Sequence, residues 1–383
     1  MSVQTIPKPR VASVPKQARQ SKQPRQATEP TQVSGLLDLR ERTAHLRASY
    51  TPSPEDVRLP PDRARELGLR SGDHVVALVN GGKLVEVVSV NGSADWRFRP
   101  HFADLTPEHP DERLRVETDS LTTRVVDLFA PIGKGQRGLV VAPPKAGKTM
   151  VLQALAAGIT RNHPEVELMV VLVGERPEEV TEMRSTIRGE VAASTFDQPA
   201  RDHVAVAELA VERAKRMAEA GRDVVILLDS LTRLGRAYNM IAPNGGRILS
   251  GGIDAGAIYP PKKFFGAARK LREGGSLTIL ATALVETGSR MDDGLFEEFK
   301  GTGNMELRLS RALAERRMFP AVDIEASSTR REELLLDPAE KQVVWRLRRM
   351  LTALDPQQGM ELLAGKLRDT ASNAAFLAEA RTA

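Results

Sequence analysis

The chain has 383 residues, of which 41% are hydrophobic and 27% are charged, and this globular composition excludes a wholly disordered chain and a collagen-like fibre. It contains no cysteine, which excludes disulfides, thiolate metal sites and cysteine nucleophiles. No apolar stretch approaches the roughly 20 residues of a membrane-spanning helix, and the N-terminus lacks the apolar region of a secretory signal. We therefore expect a cytoplasmic protein with no membrane partner, built from two or three domains.

The formal net charge of +5 is concentrated in residues 1–34, which hold six basic residues and one acidic residue. This segment is rich in proline and glutamine and has no aromatic residue, so it cannot bury enough apolar surface to fold alone. We predict a disordered basic tail. It is either a solvated linker or leader, or a basic arm that binds nucleic acid without sequence preference.

Residues 35–100 carry the signals of a small β-rich domain. Residues 75–79 and 83–90 are typical of strands, with the turn Asn80-Gly81-Gly82 between them. Residues 60–69 predict one short helix. Short strands with turns over this length favour a small β-barrel, and the prolines that follow predict a linker over residues 101–122.

From residue 123 to residue 383 the pattern is that of an α/β domain. Short apolar runs predict buried parallel strands, and amphipathic segments between them predict helices, so both faces of the sheet should be covered. The predicted strands are residues 139–142, 168–173, 224–228 and 277–281. The predicted helices are residues 150–159, 177–187 and 205–220.

Residues 142–149, with the sequence APPKAGKT, follow a predicted strand and open a predicted helix, as a phosphate-binding P-loop does. Gly147 allows the backbone to approach the phosphates closely, Lys148 reaches them, and Thr149 is a ligand for Mg²⁺. Ala142 stands where the first glycine of the motif is usual. The alternative is a fortuitous Gly-Lys-Thr at the start of a helix.

Two acidic residues follow predicted strands. Asp229 ends an apolar run in the manner of the aspartate that holds the Mg²⁺ shell in P-loop enzymes, or it caps a turn. Glu175 ends the run before it and is placed to activate the attacking water, or it faces a helix dipole. The carboxyl ends of such strands are where α/β proteins bind ligands.

A ring-shaped P-loop ATPase takes an arginine finger from the neighbouring subunit to neutralise transition-state charge. Spacing alone does not choose among the four arginines near the C-terminus. They are Arg316, Arg317, Arg330 and Arg331.

These motifs together resemble the family of Rho transcription termination factors, which are ring-shaped RNA-dependent ATPases and helicases. The similarity extends over about residues 35–375 and includes the unusual loop at residues 142–149. The other matching segments are residues 131–138, 175–183, 228–233, 263–269, 298–306 and 329–334.

The resemblance implies a RecA-like P-loop ATPase domain preceded by a small OB-type β-barrel and the disordered basic tail. It implies an ATP hydrolase that uses Mg²⁺ and forms a homohexameric ring. The ring would act as an RNA translocase or helicase on nascent single-stranded RNA and would terminate transcription by the RNA polymerase elongation complex.

Site residues carry over position by position. The resemblance implies that Glu175 is the catalytic carboxylate, that Arg330 is the finger with Arg317 as its helper, and that Phe319 stacks on adenine. Thr149 and Asp229 are implied at the metal. The implied nucleotide contacts are Lys145, Ala146, Gly147, Lys148, Thr149, Met150 and Arg176, with Gly133, Lys134, Gly135, Gln136, Arg137 and Gly138 as a second wall of the pocket.

Two loops are implied to face RNA in the central channel. Four glycines make the first loop suitable for close approach to a ligand, and arginines in both can meet phosphates. The alternative for each is a plain flexible surface loop. The implied contacts are Arg247, Ile248, Leu249, Ser250, Gly251, Gly252 and Ile253 in one loop, and Thr287 and Arg290 in the other.

The barrel departs from the family pattern. Where the family has aromatic residues in Gly-Phe-Gly-Phe-Leu-Arg, residues 43–47 read TAHLR, and Arg58 stands at an expected tyrosine. Stacking contributes about 1–3 kcal/mol per base at such sites. We therefore expect Arg47 and Arg58 to bind RNA largely through phosphates, with strong salt dependence and little preference for pyrimidines.

Two other functions compete with the RNA motor. A RecA-like rotary or export ATPase that acts on protein shares a Gly-Glu-Arg carboxylate after a strand, and its turnover would not depend on RNA. A non-enzymatic RNA-binding regulator with a vestigial nucleotide site would not need Lys148.

Overall fold

The computed structural model describes residues 29–80, 83–243 and 246–382. Most of the basic tail, the glycines of the predicted turn at Gly81 and Gly82, and Asn244 and Gly245 of the first channel loop lie outside the described residues.

The N-terminal unit is a five-stranded antiparallel sheet that curls so that β3 packs beside β5, as in an OB-type barrel. Its strand order is β3-β2-β1-β4-β5. Apolar residues that alternate along the strands, such as Leu37, Leu46, Leu59 and Val75, fill its core. The elements are β1 (Thr31–Leu39), β2 (Ala44–Arg47), β3 (Val57–Leu59), α1 (Pro61–Glu66), β4 (His74–Asn80) and β5 (Lys83–Val90).

Two expected boundaries of this unit are wrong. The first strand begins at Thr31, so the unit starts before the predicted boundary at Gly35. The Val33 side chain already packs against the barrel core, although the sequence around it resembles the tail. The predicted helix is present but shorter than residues 60–69.

The segment over residues 101–122 is not a free linker. Phe102, Leu105, Leu114 and Val116 are all buried against the ATPase domain. A short strand, β6 (Pro107–Glu108), pairs with a later strand of that domain. The prolines prevent regular structure, but the apolar residues between them still find partners in the core, so this segment belongs to the ATPase unit.

The ATPase domain is built on a mostly parallel sheet of order β16-β15-β7-β14-β10-β8-β9, in which the strands from β15 to β9 run parallel. Its elements are α2 (Leu121–Phe129), β7 (Arg137–Ala142), α3 (Lys148–Asn162), β8 (Glu167–Glu175), α4 (Pro177–Thr186), β9 (Glu190–Thr195), α5 (Ala200–Glu219), β10 (Asp223–Asp229), α6 (Leu231–Ile241), β11 (Ile248–Leu249), β12 (Ile253–Asp254), α7 (Ala255–Phe265), β13 (Arg269–Leu271), β14 (Ser276–Leu284), α8 (Arg290–Lys300), β15 (Met305–Arg308), α9 (Arg311–Glu315), β16 (Ser328–Thr329), α10 (Pro338–Thr352), α11 (Pro356–Arg368) and α12 (Asn373–Thr382).

Both faces of this sheet are covered, as the sequence predicts. Along β7, Val140 points into one core with α2, α3 and the C-terminal helices, while Leu139 and Val141 point into the other with α5 to α8. The same alternation continues along β8 and β10, because successive side chains of a strand point to opposite faces. The four predicted strands and three predicted helices of this domain are confirmed.

The barrel lies directly on α5. A Cβ atom at Gly72 would lie 2.3 Å from the carbonyl carbon of Glu212, so the two backbones touch. Glu219 on the same helix is buried, pairs with Arg70 of the barrel at 3.1 Å and accepts a hydrogen bond from the Phe102 backbone at 2.7 Å. Tyr50 adds a hydrogen bond to Glu190 on β9.

Candidate nucleotide site and RNA-facing loops

The loop after β7 has the backbone geometry of a phosphate cradle. Gly147 lies in the left-handed region with φ 92° immediately before α3, and Lys145 is left-handed with φ 66°. The free N–H groups of the first turn of α3 therefore face the loop. Phe319 lies beside this turn, because a Cβ atom at Gly147 would be 3.4 Å from its ring.

Lys148 joins the two strand-end carboxylates. Its ammonium lies 2.6 Å from Asp229 Oδ1 at the end of β10 and 3.0 Å from Glu175 Oε1 at the end of β8. Both carboxylates are buried, at 1% and 2% exposure. Asp229 also accepts a hydrogen bond from Thr282 Oγ1 at 2.8 Å, on β14 between β7 and β10.

Burial and neighbouring charges shift the pKa values of Glu175 and Lys148. Burial, together with the nearby Asp229 carboxylate, raises the pKa of Glu175 to about 7, against the partial opposition of Lys148 and Arg233. Burial lowers the pKa of Lys148, but the Asp229 and Glu175 carboxylates outweigh it and the net pKa is raised. Lys148 is therefore a permanent cation, and Glu175 is a carboxyl group poised to exchange a proton near neutral pH.

Glu175 does not sit at the start of α4, the alternative considered from sequence. That position is taken by Glu178 and Glu179 in the first turn. Arg176 follows Glu175 and is exposed at 67%, and Met150 is exposed at 57% on the first turn of α3, so both side chains are available at this edge.

Two residues of this site had no assigned role from sequence. Arg233 places its Nε 3.4 Å from Glu175 Oε1 and donates to the Gly174 carbonyl. Its only sequence signal was its place at the end of the segment 228–233. Thr282 lies within an apolar strand, where a lone hydroxyl gives no local signal of its contact with Asp229.

The oxygen donors at this edge suit Mg²⁺. The Asp229 carboxylate and the Thr149 hydroxyl are hard ligands, and Mg²⁺ in nucleotide sites is held by one or two protein oxygens together with phosphates. Within residues 29–80, 83–243 and 246–382, no cluster of three or more His, Cys, Asp or Glu residues could hold a metal alone. The residues present therefore fit a metal that binds with its nucleotide.

Residues 133–138 do not line this pocket within one chain, which corrects the expectation of a second wall there. They lie before β7 or form its first two residues, whereas the phosphate-binding loop follows β7, so most of the length of that strand separates them. Lys134 is buried and pairs with Glu112 and with Asp223 at the start of β10, at 2.8 Å for Asp223. Gln136 is fully buried and donates to Asn304.

Arg330 lies at the same side of the sheet as residues 133–138, opposite the phosphate-binding loop. Its backbone N–H donates to the Asn304 carbonyl at 2.9 Å, just after β16, while Asn304 Oδ1 accepts from Arg137 N at 2.8 Å. Arg317 lies at the other edge, two residues before Phe319, so the pairing of Arg317 with Arg330 is not made within one chain. Arg316 donates to Gln357 and Arg331 pairs with Glu333 at 2.9 Å.

The two expected channel loops meet. Residues Ile248–Leu249 and Ile253–Asp254 form a small hairpin, and a Cβ atom at Gly251 would lie 2.5 Å from the Arg290 carbonyl oxygen. Arg247, Ser250, Gly252 and Arg290 are exposed, as is Ile248 at 63%, and Leu249 is half-buried. The two loops thus present one continuous surface with two arginines.

Two members of these loops have other roles. Ile253 is buried at 2% exposure within the core, so its side chain is not an RNA contact, and this expectation is wrong. Thr287 Oγ1 donates to Asp292 at 2.6 Å and accepts from the Ser289 backbone, which stabilises the turn before α8.

Of the two barrel arginines expected to bind RNA, one is buried and the other is exposed. Arg47 is buried at 7% exposure and pairs with Asp38 at 2.5 Å and with Asp56 at 2.7 Å, so its expected contact with RNA is wrong. Arg58 is exposed on β3, opposite His45 on β2. The ion pairs of Arg47 within the barrel neutralise a charge that, from the sequence alone, looks available to bind RNA.

The fold and the site define a RecA-like P-loop ATPase, and the comparisons agree. The nucleotide-binding domain of the ATP synthase alpha/beta family matches residues 122–329. An ATPase of the type III secretion system of pathogenic bacteria has the same fold, with a TM-score of 0.61 and 21% identity over 79% of this chain and 94% of that one. The chain is an ATP hydrolase.

Relatives narrow the class further. The chain is 67% identical over its whole length to the transcription termination factor Rho of Streptosporangium roseum, of which it covers 99%. It is 60% identical over 90% of its length to Rho of Streptomyces lividans, but spans about half, 51%, of that protein. Against Rho of Streptomyces coelicolor the identity is 61% over 90% of this chain and 84% of that one. The chain belongs to the Rho transcription termination factor family.

No helix within the described ranges 29–80, 83–243 and 246–382 is both long and apolar enough to cross a bilayer.

Proposed function

We propose that this protein is a cytoplasmic, ATP-dependent RNA translocase and helicase that binds nascent single-stranded RNA and terminates transcription by the RNA polymerase elongation complex. It works as a homohexameric ring that hydrolyses ATP at subunit interfaces. Residues 29–100 form its RNA-capturing domain, and residues 101–382 form its motor.

One observation supports the proposal that ATP is hydrolysed between two subunits. The phosphate-binding loop, Glu175 and Asp229 lie at the carboxyl edge of the sheet, whereas Arg330 and residues 133–138 lie at its opposite edge. The amino and carboxyl ends of the parallel strands lie on opposite sides of the sheet and cannot meet within one chain. A finger at Arg330 therefore reaches only a nucleotide that is bound to another copy. Head-to-tail contacts of this kind generate a closed ring when the rotation between successive copies closes.

The chemistry at the carboxyl edge follows from the charges. Lys145 and Lys148, with the backbone N–H groups of the loop, bind the phosphates, while Phe319 packs on the base beside Gly147. Thr149 and Asp229 would hold Mg²⁺, which would neutralise charge on the phosphates when bound. Binding of the phosphates draws Lys148 away from Glu175, and the freed carboxylate accepts the proton of the attacking water.

The RNA contacts lie where the barrel and the channel loops are exposed. Arg58 offers a cation on the barrel, and Arg247 and Arg290 offer two more on the paired loops. Aromatic platforms are few, so phosphate contacts dominate the affinity. The 67% identity to a named Rho factor favours RNA over protein as the substrate.

The deciding experiment is the steady-state ATPase rate with and without single-stranded RNA, comparing poly(C) with poly(A) at two salt concentrations. We expect strong stimulation by both polymers, with a small ratio between them and a steep loss at high salt. Turnover indifferent to RNA would contradict the motor and favour a protein-acting ATPase of the kind that shares this fold.

A further inference from the structure

Three arginines meet at the edge of the sheet opposite the phosphate-binding loop. They are Arg137 at the start of β7, Arg269 at the start of β13 and Arg330 after β16. We call them the arginine cluster. The resemblance assigns Arg330 to catalysis and Arg137 to the nucleotide, but gives Arg269 no role.

The backbone brings Arg269 to the other two. A Cβ atom at Gly135 would lie 2.6 Å from the Arg269 carbonyl carbon, so the turn before β7 presses directly on this residue. Arg137 Nη1 donates to the Ala268 carbonyl at 3.1 Å, next to Arg269 in the chain. Asn304 then ties Arg137 to Arg330 through the hydrogen bonds described above.

The positive charge of the cluster is not compensated. Across the described residues, none of the three guanidinium groups forms an ion pair with a carboxylate, whereas the neighbouring Lys270 and Arg272 pair with Asp111 and Glu108. Burial and the charges of Arg269 and Arg330 lower the pKa of Arg137. Each of these like charges disfavours the charged form of its neighbours, and a bound anion would offset that repulsion.

The guanidinium of Arg269 is held in a fixed orientation. Its Cζ lies 4.9 Å from the centre of the Phe102 ring, and it donates to the carbonyls of Ala267 and Gly266 at 3.2 and 3.3 Å. Nη1 makes neither of these bonds. A rigid, partly desolvated arginine beside an exposed one is suited to phosphate recognition.

We infer that Arg269 is a further nucleotide-contacting residue, which acts with Arg137 and Arg330 to receive the phosphates of ATP held by the phosphate-binding loop of a neighbouring copy. The inference rests on the proposed ring. It places three cations around the developing transition-state charge, where preorganised donors have their largest effect.

The test compares Arg269→Gln with Arg272→Gln, a control three residues further along that is exposed and paired with Glu108 at 2.7 Å. We expect Arg269→Gln to lower kcat roughly 10- to 100-fold at saturating RNA. ATP affinity in an equilibrium binding assay should change less than about 3-fold, because the phosphate-binding loop is intact. Arg272→Gln should match wild type.

Arg269→Lys keeps the positive charge but not the two carbonyl contacts. It therefore distinguishes a loss of kcat caused by the missing charge from one caused by misfolding. We expect it to recover at least part of the lost kcat while melting no higher than Arg269→Gln. A double variant with Arg330→Ala should lose less than the product of the two single losses, because residues that act on one charge are not additive.

The outcomes separate the inference from the proposed function. If Arg330→Ala leaves kcat unchanged, the interface finger fails and the cluster fails with it. If Arg330→Ala lowers kcat but Arg269→Gln does not, only the role of Arg269 is overturned. Weaker RNA binding by Arg269→Gln in the absence of nucleotide, with unchanged kcat, would assign the residue to RNA and also overturn it.

Discussion

Lys148 donates to Glu175 at 3.0 Å, so the residue that we propose binds phosphate also holds the carboxyl group that we propose activates water. The same ammonium lies 2.6 Å from Asp229. Phosphate and the two carboxylates therefore compete for one cation. This competition links nucleotide binding to the release of the catalytic base.

Replacing Glu175 with Gln should preserve ATP binding and slow hydrolysis by about 10²- to 10⁴-fold, the usual contribution of a general base. The amide keeps the shape of the side chain but accepts no proton. Rapid-quench measurements of a single turnover, beside an equilibrium ATP titration, separate the two effects. Glu178→Gln, in the first turn of α4, is the matched control and should behave as wild type. Equal turnover in both variants would require another base.

The pH dependence of kcat/KM for ATP should report Glu175, because this ratio reflects ionisation in the nucleotide-free protein. The pKa of about 7 for Glu175 means that the carboxyl group is mostly protonated at pH 6 and mostly ionised at pH 8 before ATP binds. We expect kcat/KM to rise across this range and the rise to vanish in Glu175→Gln. The ionisation of Glu175 should make the free energy of unfolding fall as pH rises, whereas activity rises. Between pH 4.5 and 7 the folded chain keeps a proton that the unfolded chain loses, so this group contributes less stability as pH rises.

Arg330→Ala subunits mixed into wild-type rings should inhibit their neighbours. Each variant subunit removes the finger from a site whose other residues belong to the next copy, and fingers of this type contribute about 10³- to 10⁵-fold to kcat. ATPase activity measured against the mixing ratio should fall faster than the wild-type fraction. Arg331→Ala, whose side chain pairs with Glu333, is the control. A strictly proportional fall would place the finger in its own subunit.

Arg58→Ala should weaken RNA binding without unfolding the barrel, because the side chain is exposed. Loss of one phosphate contact lowers the slope of log K against log salt by about 0.7 for a single strand. Filter binding with poly(C) and poly(A) at several salt concentrations measures this slope. Arg63→Ala, on exposed α1, should leave it unchanged. An unaltered slope in Arg58→Ala would remove this residue from the RNA surface.

Arg47→Ala should act on stability instead. The change leaves the buried Asp56 side chain without its cation and leaves Asp38 with only the more exposed Arg40 at 3.1 Å, and breaking a buried pair costs about 3–5 kcal/mol. Urea unfolding monitored at Trp96, which packs on the barrel core, reports the loss. A variant of native stability whose RNA affinity alone has fallen would restore the contact expected from sequence.

Much of the site could be predicted from sequence because its signals are short in range. The loop at residues 142–149 and the strand-end residues Glu175 and Asp229 are each recognised within a few positions. Parallel strands then bring their carboxyl ends together without further information. The placement of residues 133–138 at the opposite ends of the strands also had a sequence signal, since these residues lie before or at the start of the strand that the loop follows.

By itself, the sequence determined the class of the domain, the direction of its strands and the nucleotide-binding edge, because periodicity and backbone chemistry act locally. Only the tertiary structure decided which residues are free to bind a ligand. Arg47 pairs with Asp38 and Asp56, Lys134 pairs with Glu112 and Asp223, and the apolar Ile253 is buried in the core. Ion pairs and burial join residues far apart in the chain, and no local pattern records which partner lies within a few ångströms.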